Sequence, residues 1–334
     1  MLAGVANAQA WATIPRFVLA TVSLAGLAWT VSLATEQLAE RYGPGVTGLL
    51  QSTLGNLPEL FVVIFALQAG ELVVAQTAIV GSILANGLLV LGLVLVIGAR
   101  RSPGGLMHFS SRLPKDTATL LQATVFIVVL LGVSLATHDF ASRHVQTISA
   151  VGAVCLLVVY FSWLVRYVRS DGAPGAGERP SPRLSLSTTV SLLLVAAVAS
   201  AFVSQWFINA LHPALTQLHL SAAFAGIVIV AIAGNAVENY TALVMARRRR
   251  PDLAISVVKN SVAQIAAFLF PLLVLISFTL NHRLTFALAP VYIGALLLTT
   301  LALDQITGDG EAYEFEGWAL VALYVVVATF AYFE

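Results

Sequence analysis

Gly55-Asn56-Leu57-Pro58-Glu59 and Gly234-Asn235-Ala236-Val237-Glu238 are two copies of one pattern: a glycine and an asparagine, then a glutamate three residues after the asparagine, each inside a long apolar region. The offset from Gly55 to Gly234 is 179 residues, and the same offset carries Ser82 onto Ser261 without a gap. The chain therefore contains an internal repeat, and the repeated feature is a carboxylate where hydrocarbon-like sequence surrounds it.

The surroundings are those of a membrane protein. Of 334 residues, 59% are hydrophobic and 10% charged, against about 25% charged in an ordinary soluble domain. Residues 72–99, 117–137, 145–165 and 184–237 hold no charge at all, and each run exceeds or matches the roughly 20 residues that a helix needs to cross about 30 Å of hydrocarbon. Splitting the runs at Gly, Pro, Asn and His clusters predicts ten helical spans near 17–41, 44–69, 72–98, 117–137, 145–167, 185–210, 220–246, 252–280, 284–303 and 317–333. A closed barrel is excluded because the apolar runs are continuous rather than alternating. The fold class expected is an all-α polytopic membrane protein.

Residues 169–184 include Asp171-Gly172-Ala173-Pro174-Gly175-Ala176-Gly177, with Pro180 and Pro182 beyond, a composition with little to bury that reads as a flexible cytoplasmic linker. It separates a first five-span unit, 1–168, with its motif over 55–86, from a second, 185–334, with its motif over 234–264. An odd number of spans per unit turns the second upside down relative to the first, the inverted-repeat plan of many secondary transporters, in which the site lies at the midplane where the halves meet.

Thirteen of the 17 Lys and Arg residues fall in alternate loops: Arg41, then Arg100, Arg101, Arg112 and Lys115, then Arg166, Arg169, Arg179 and Arg183, then Arg247–Arg250. The other loops hold Arg16, Arg143 and Arg283. The positive-inside rule then places both termini outside the cytoplasm, and the short chain suggests a bacterial plasma membrane. Met1–Ala10 lacks the basic and apolar regions of a signal peptide. Arg247–Arg250 follows a span directly, so it reads as a topology signal and lipid-headgroup anchor rather than a nucleic-acid patch. The lone Cys155 reads as core packing, and the acidic stretch Asp304, Asp309, Glu311, Glu314 and Glu316 as a solvated loop.

The charges left inside spans are Glu59, Glu238 and Lys259, with Glu36 nearer an end. A mid-membrane acid or base costs about 2.5–3.5 kcal/mol to insert, so each is a functional-site hypothesis. Two acids at equivalent positions of inverted halves converge on one place, which a lone structural acid does not do. Gly55 and Gly234, with Pro58 in the first copy, are points where a helix breaks and turns carbonyls toward a cavity, while Asn56, Asn235, Ser82, Asn86, Ser261 and Gln264 add neutral side-chain oxygens. All-oxygen donors suit calcium, and less well manganese or sodium, whereas zinc and copper prefer imidazole and thiolate. The six histidines lie in or near expected loops. Two carboxylates in one low-dielectric cavity cannot both stay ionised without a cation between them, so removing a divalent ion brings in about two protons by charge balance.

These residues resemble a known family. Gly55 through Leu60, Gly81-Ser82-Ile83-Leu84-Ala85-Asn86, Gly234 through Glu238 and Asn260-Ser261-Val262-Ala263-Gln264 are similar to the paired signature regions of the cation/proton exchangers, within the calcium/cation antiporter superfamily. The likeness runs from about Phe17 to the last span. It implies that Glu59 and Glu238 are the exchange carboxylates, that Asn56, Asn235, Ser82, Ser261 and Gln264 line the site, and that Ca2+ and H+ are transported substrates with no cofactor. The chain departs from the family at Leu57-Pro58, which is closer to the sodium/calcium branch, and at Asn239, where the family has histidine. It also lacks the family's extra N-terminal helix and carries the Pro/Gly linker in place of an acidic helix. Lys259 is a further departure, with three readings open: it snorkels to the cytoplasmic interface, pairs with Glu59 or Glu238, or faces a wet cavity. Glu36 and Asn239 are, like Lys259, candidate modulators.

The leading reading is a secondary antiporter exporting Ca2+ against H+, with sodium coupling as its alternative. An intramembrane hydrolase would need a nucleophile and base that no span supplies. A channel would need a ring of acids rather than two on inverted halves.

Overall fold

The computed structural model of the chain describes residues 2–9, 11–42, 54–110, 112–169 and 183–334. A short helix, Leu2–Ala8, precedes the main series. In chain order the first half then gives α1 (Thr13–Tyr42), α2 (Leu57–Ala69), α3 (Leu72–Arg101), α4 (Arg112–Thr137) and α5 (Val145–Arg169). The second gives α6 (Leu186–Leu218), α7 in two pieces (Ala222–Gly234 and Ala236–Arg247), α8 (Pro251–Ser277), α9 (Pro290–Thr307) and α10 (Glu314–Phe333). Among the described residues, eight helices are long and apolar enough to cross a bilayer, and the two pieces of α7, bent by 63°, make a ninth. α2 is a shorter apolar helix; residues 43–53, which would complete the second span expected over 44–69, lie outside the described residues, as do linker residues 170–182.

Local chemistry sets where the helices stop and start. Gly70 ends α2 in the left-handed region, at φ 82°, returning its N–H to the carbonyls of Ala66 and Leu67. Ser185 caps α6 by accepting from the N–H of Thr188 at 3.1 Å, and Ser221 caps α7 by accepting from that of Phe224 at 2.8 Å.

The loops sort onto two faces. On the first, β1 (Leu106–His108), after α3, pairs antiparallel with β2 (Glu311–Tyr313), before α10, and Arg101 Nη1 donates to the carbonyl of Arg247 at 2.8 Å. The connections 3–4, 7–8 and 9–10 therefore lie together, and the first two, with the helix ends beside them, carry seven of the chain's 15 arginines. On the second, His212 meets Glu71 at 3.7 Å, His282 Nδ1 contacts the carbonyl of Leu67 at 3.0 Å, and Arg283 donates to Gln146. Those contacts join the ends of spans 2, 4, 6 and 8, the arrangement that ten alternating spans require.

α3 is almost wholly enclosed and α8 nearly so, while the outer helices expose apolar side chains such as Phe126, Val22, Leu298 and Val326. Enclosure at α3 depends on small residues. A Cβ on Gly81 would lie 2.4 Å from the Cα of Ile227, and one on Gly226 would lie 2.0 Å from Thr77 Oγ1, so α3 and the first piece of α7 touch backbone to backbone. Gly92 and Gly317 make the same close crossing between α3 and α10.

The repeat is visible in the backbone. Asn56 sits at φ −97°, ψ 19° and Asn235 at φ −102°, ψ 18°, each just before a half-helix that carries its glutamate in the first turn. α3 widens into π-helix over Ala85–Val90 and α8 over Ile265–Leu269, and the last residues of these segments, Val90 and Leu269, are related by the same 179-residue offset. A third π segment, Ala225–Val230, precedes the break in α7.

Two expectations are corrected. Cys155 is exposed on the outer side of the bundle: α5 buries the stripe through Ala153, Leu156, Tyr160 and Leu164, and position 155 falls off it. The acidic stretch is solvated as expected but is not an irregular loop, since Asp304 lies in α9, Glu311 in β2, and Glu314 and Glu316 in the first turn of α10. Glu314 pairs with Arg100 at 2.6 Å, Glu311 with His108 at 3.3 Å, Asp309 accepts from the N–H of Glu311, and Glu316 accepts from that of Tyr313.

Gly81→Ala tests the backbone contact. The added methyl meets fixed main chain rather than a movable side chain, so thermal unfolding in detergent should show a loss of about 1–3 kcal/mol; an unchanged transition would mean that the helices separate without cost.

Candidate functional site

Glu59 and Glu238 occupy the first turns of the two half-helices, so each carboxyl lies at the positive end of a helix dipole inside the membrane. This placement follows from sequence: Gly-Asn interrupts the helix, and the residues after it restart it.

Around Glu59 the two halves interlock. Its Oε1 accepts from Ser82 Oγ, in its own half, and from Asn235 Nδ2 at 2.7 Å, in the other. Asn235 Nδ2 also reaches Ser82 Oγ at 3.0 Å and the Ala231 carbonyl at 3.0 Å, its own helix. Asn86 Nδ2 then donates to Asn235 Oδ1 at 3.2 Å and to Ser261 Oγ at 2.9 Å. Glu59, Ser82, Asn86, Asn235 and Ser261 thus form one buried polar network across α2, α3, α7 and α8. Gly234 makes room for it, since a Cβ there would lie 2.7 Å from Glu59 Cγ.

The network is one-sided. Glu238 is less enclosed than Glu59. Asn86 has no counterpart, because the equivalent residue is Ile265. Glu59 Oε2, Asn56 Nδ2 and Asn239 Oδ1 are buried without a hydrogen-bond partner among the described residues. Gln264, at the end of the regular part of α8, is partly exposed, and Gly55 is buried in the turn before α2. No group of three or more His, Cys, Asp or Glu gathers among the described residues. The donors that do converge are one carboxyl with amide and hydroxyl groups, a hard-oxygen set.

Lys259 does not snorkel. Its side chain is 1% exposed and its Nζ is buried without a hydrogen-bond partner among the described residues. It is not within ion-pair distance of Glu59, Glu238 or any other acid among the described residues. Glu36 lies on the exposed side of α1, whereas its neighbour Gln37 is buried and accepts from the backbone N–H groups of Arg183 and Leu184 at 2.8 and 3.1 Å.

With this geometry in view, the sequence pattern of the family described as "Sodium/calcium exchanger protein" matches residues 13–168 and 188–333, nearly the whole of both halves. The chain belongs to the sodium/calcium exchanger family. It is 29% identical to a protein of Aphanothece halophytica named Ca(2+)/H(+) antiporter, over 97% of this chain and 91% of that one. It is 30% identical to the protein of that name in Synechocystis, over 97% and 92%. A solved structure titled native YfkE superposes with a TM-score of 0.85 at 26% identity, covering 100% of this chain and 97% of that one. The resemblance drawn from the paired motifs is thereby confirmed, as is the fold of two inverted repeats.

Two supports of the backbone around this network had no signal in the sequence. Thr124 Oγ1 donates to the carbonyl of Ala266 at 3.0 Å, and the Tyr324 hydroxyl to that of Ile227 at 3.0 Å. Both carbonyls lie in π segments, where a widened turn displaces the regular bonds. Neither donor lies in a motif, so only the packing of α4 on α8 and α10 on α7 reveals them.

Asn235→Ala removes a buried donor to Glu59 and should cost about 1–3 kcal/mol in thermal unfolding; combined with Ser82→Ala the loss should depart from additivity because both bind one oxygen. Strict additivity would break the shared network apart. Lys259→Met, which keeps volume and removes a buried charge, should be neutral or stabilising by up to about 4 kcal/mol. A destabilised variant would instead show that the ammonium is held by a favourable interaction.

Proposed function

We propose that this chain is a secondary antiporter that exports Ca2+, or a similar divalent cation, from the cytoplasm in exchange for H+, by alternating exposure of one midplane site between its two five-span halves. The reading rests most on Glu59. One carboxyl oxygen is held by Ser82 and Asn235, one residue from each half, while the other is buried without a protein partner among the described residues. A carboxyl so placed has one oxygen fixed for position and one left for an exchangeable cation or proton.

In this scheme Glu59 and Glu238 are the metal ligands and proton carriers, and backbone carbonyls at Gly55 and Gly234 complete the coordination. Asn56, Asn235, Ser82, Asn86, Ser261 and Gln264 line the site. Cation release leaves two carboxyl groups in a low-dielectric cavity, and about two protons restore neutrality. Asn239 stands where a titratable histidine would assist, so proton exchange here runs through the carboxyls alone. The relatives' names support calcium and protons as the exchanged ions. The arginine-rich face is the cytoplasmic one, which puts both termini outside the cytoplasm, and a bacterial plasma membrane is the setting.

The experiment is Ca2+ uptake into sealed vesicles under an imposed pH gradient, with and without sodium, for the native chain, Glu59→Gln and Glu238→Gln. Proton-driven uptake that falls at least about 100-fold in both variants supports the scheme, since each loses a charge that the bound ion requires. Uptake that needs sodium moves the chain to the sodium-coupled branch, and uptake that survives either substitution removes that glutamate from the site.

A further inference from the structure

At the arginine-rich face a cavity of about 230 Å3 opens between the end of α3, strand β1 and the α7–α8 turn. That is well above the ~10–15 Å3 that one water needs. Arg101 and Arg249 line it together with Met107, His108, Leu106 and Pro251. Neither arginine has an acidic partner within ion-pair distance among the described residues, whereas the adjacent Arg100 is matched by Glu314 at 2.6 Å. Of the acids on the same connections, Asp252 accepts from the N–H of Ser110 at 2.6 Å and Glu311 lies 3.3 Å from His108, and neither is within ion-pair distance of Arg101 or Arg249.

The guanidinium of Arg101 and the backbone of Arg249 are also held in place. Arg101 Nη1 is anchored on the carbonyl of Arg247 at 2.8 Å. Arg249 sits at φ 57°, a left-handed conformation that glycine adopts more readily, in a turn tied back by the N–H of Arg250 to the carbonyl of Met245 at 3.0 Å. Two unmatched guanidinium groups on a preformed cavity form an oxyanion site, because the planar fork of arginine fits phosphate oxygens in pairs.

We propose that this cavity binds the headgroup of an anionic phospholipid. The chemistry it reads is a phosphate ester, and three observations favour a lipid over free phosphate as the source. The cavity lies at the arginine-rich end of a membrane span. Arg100, next to it, stacks on Trp318 at 5.7 Å, and tryptophan marks the headgroup level. Leu106, Met107 and Pro251 give the cavity an apolar wall beside its charges, which suits the glycerol and upper acyl region rather than a fully hydrated ion. The walls come from both halves: α3 carries Ser82 and Asn86, and the α7–α8 turn joins the helices that carry Asn235 and Ser261. A bound headgroup bridges the two halves at the arginine-rich face.

The test is thermal unfolding of the purified full chain in detergent with added phosphatidylglycerol, phosphatidylcholine or inorganic phosphate. Arg249→Gly is the informative variant, since glycine suits the left-handed turn, and Arg248→Ala is its charge-matched control outside the cavity. Phosphatidylglycerol should raise the melting temperature of the native chain and of Arg248→Ala beyond the effect of phosphatidylcholine. In Arg249→Gly the apparent affinity for it should fall about tenfold or more, as expected for losing a charge-assisted pair. Equal loss in both variants would reduce the effect to diffuse surface charge. A matching rise with inorganic phosphate would replace the lipid by a free anion, and the absence of any phosphatidylglycerol-specific shift would overturn the site. The readout is binding, so it stands or falls independently of transport.

Discussion

A carboxyl group inside a bilayer needs donors that water would otherwise supply, and Glu59 finds them across the interface between the two halves. Ser82 belongs to its own half and Asn235 to the other. Much of the surrounding structure serves this convergence. Each half-helix must begin beside the other half, α3 and α7 must approach within backbone contact, and the side chains at 82, 86, 235 and 261 must face inward together. If the halves slid apart, Glu59 would lose the Asn235 donor within a low dielectric, where an unmade hydrogen bond is most costly.

The same interface explains the departures from regular helix. A straight span satisfies its own backbone and offers nothing to a cation. The breaks after Gly55-Asn56 and Gly234-Asn235, and the π segments in α3, α7 and α8, free or displace carbonyls where the polar side chains gather. Thr124 and Tyr324 take up two of those carbonyls. Polar side chains from neighbouring spans thus stabilise a backbone that lipid alone would not tolerate.

The two halves are alike in backbone and unlike in side-chain bonding. Asn56 and Asn235 share a conformation, yet Asn235 bonds Glu59 while Asn56 Nδ2 has no partner among the described residues. Asn86 faces Ser261 and Asn235, but its equivalent is Ile265. A site built by an inverted repeat therefore need not be symmetrical in its chemistry. Lys259 adds to the asymmetry, since the equivalent position in the first half is Val80.

The helical spans, the inverted halves and the position of each glutamate at the start of a half-helix were legible in the sequence because each rests on a strong local preference. Twenty apolar residues make a helix in lipid, Gly-Asn interrupts it, and a charge in hydrocarbon is too costly to be incidental. Burial of single side chains was not legible, as Cys155 and Lys259 show. Whether a residue on a membrane helix faces lipid or protein depends on how neighbouring helices pack, and hydropathy along one helix is blind to that when both faces are apolar. The acidic stretch before α10 took its order from Arg100 and His108, about 200 residues away in the chain, through pairings that no local pattern encodes. The sequence by itself determined which residues enter the membrane and which charges they carry there. Only the tertiary structure decided which of those charges meet, because hydrogen bonds between helices depend on distances that the chain sets nowhere but in its packing.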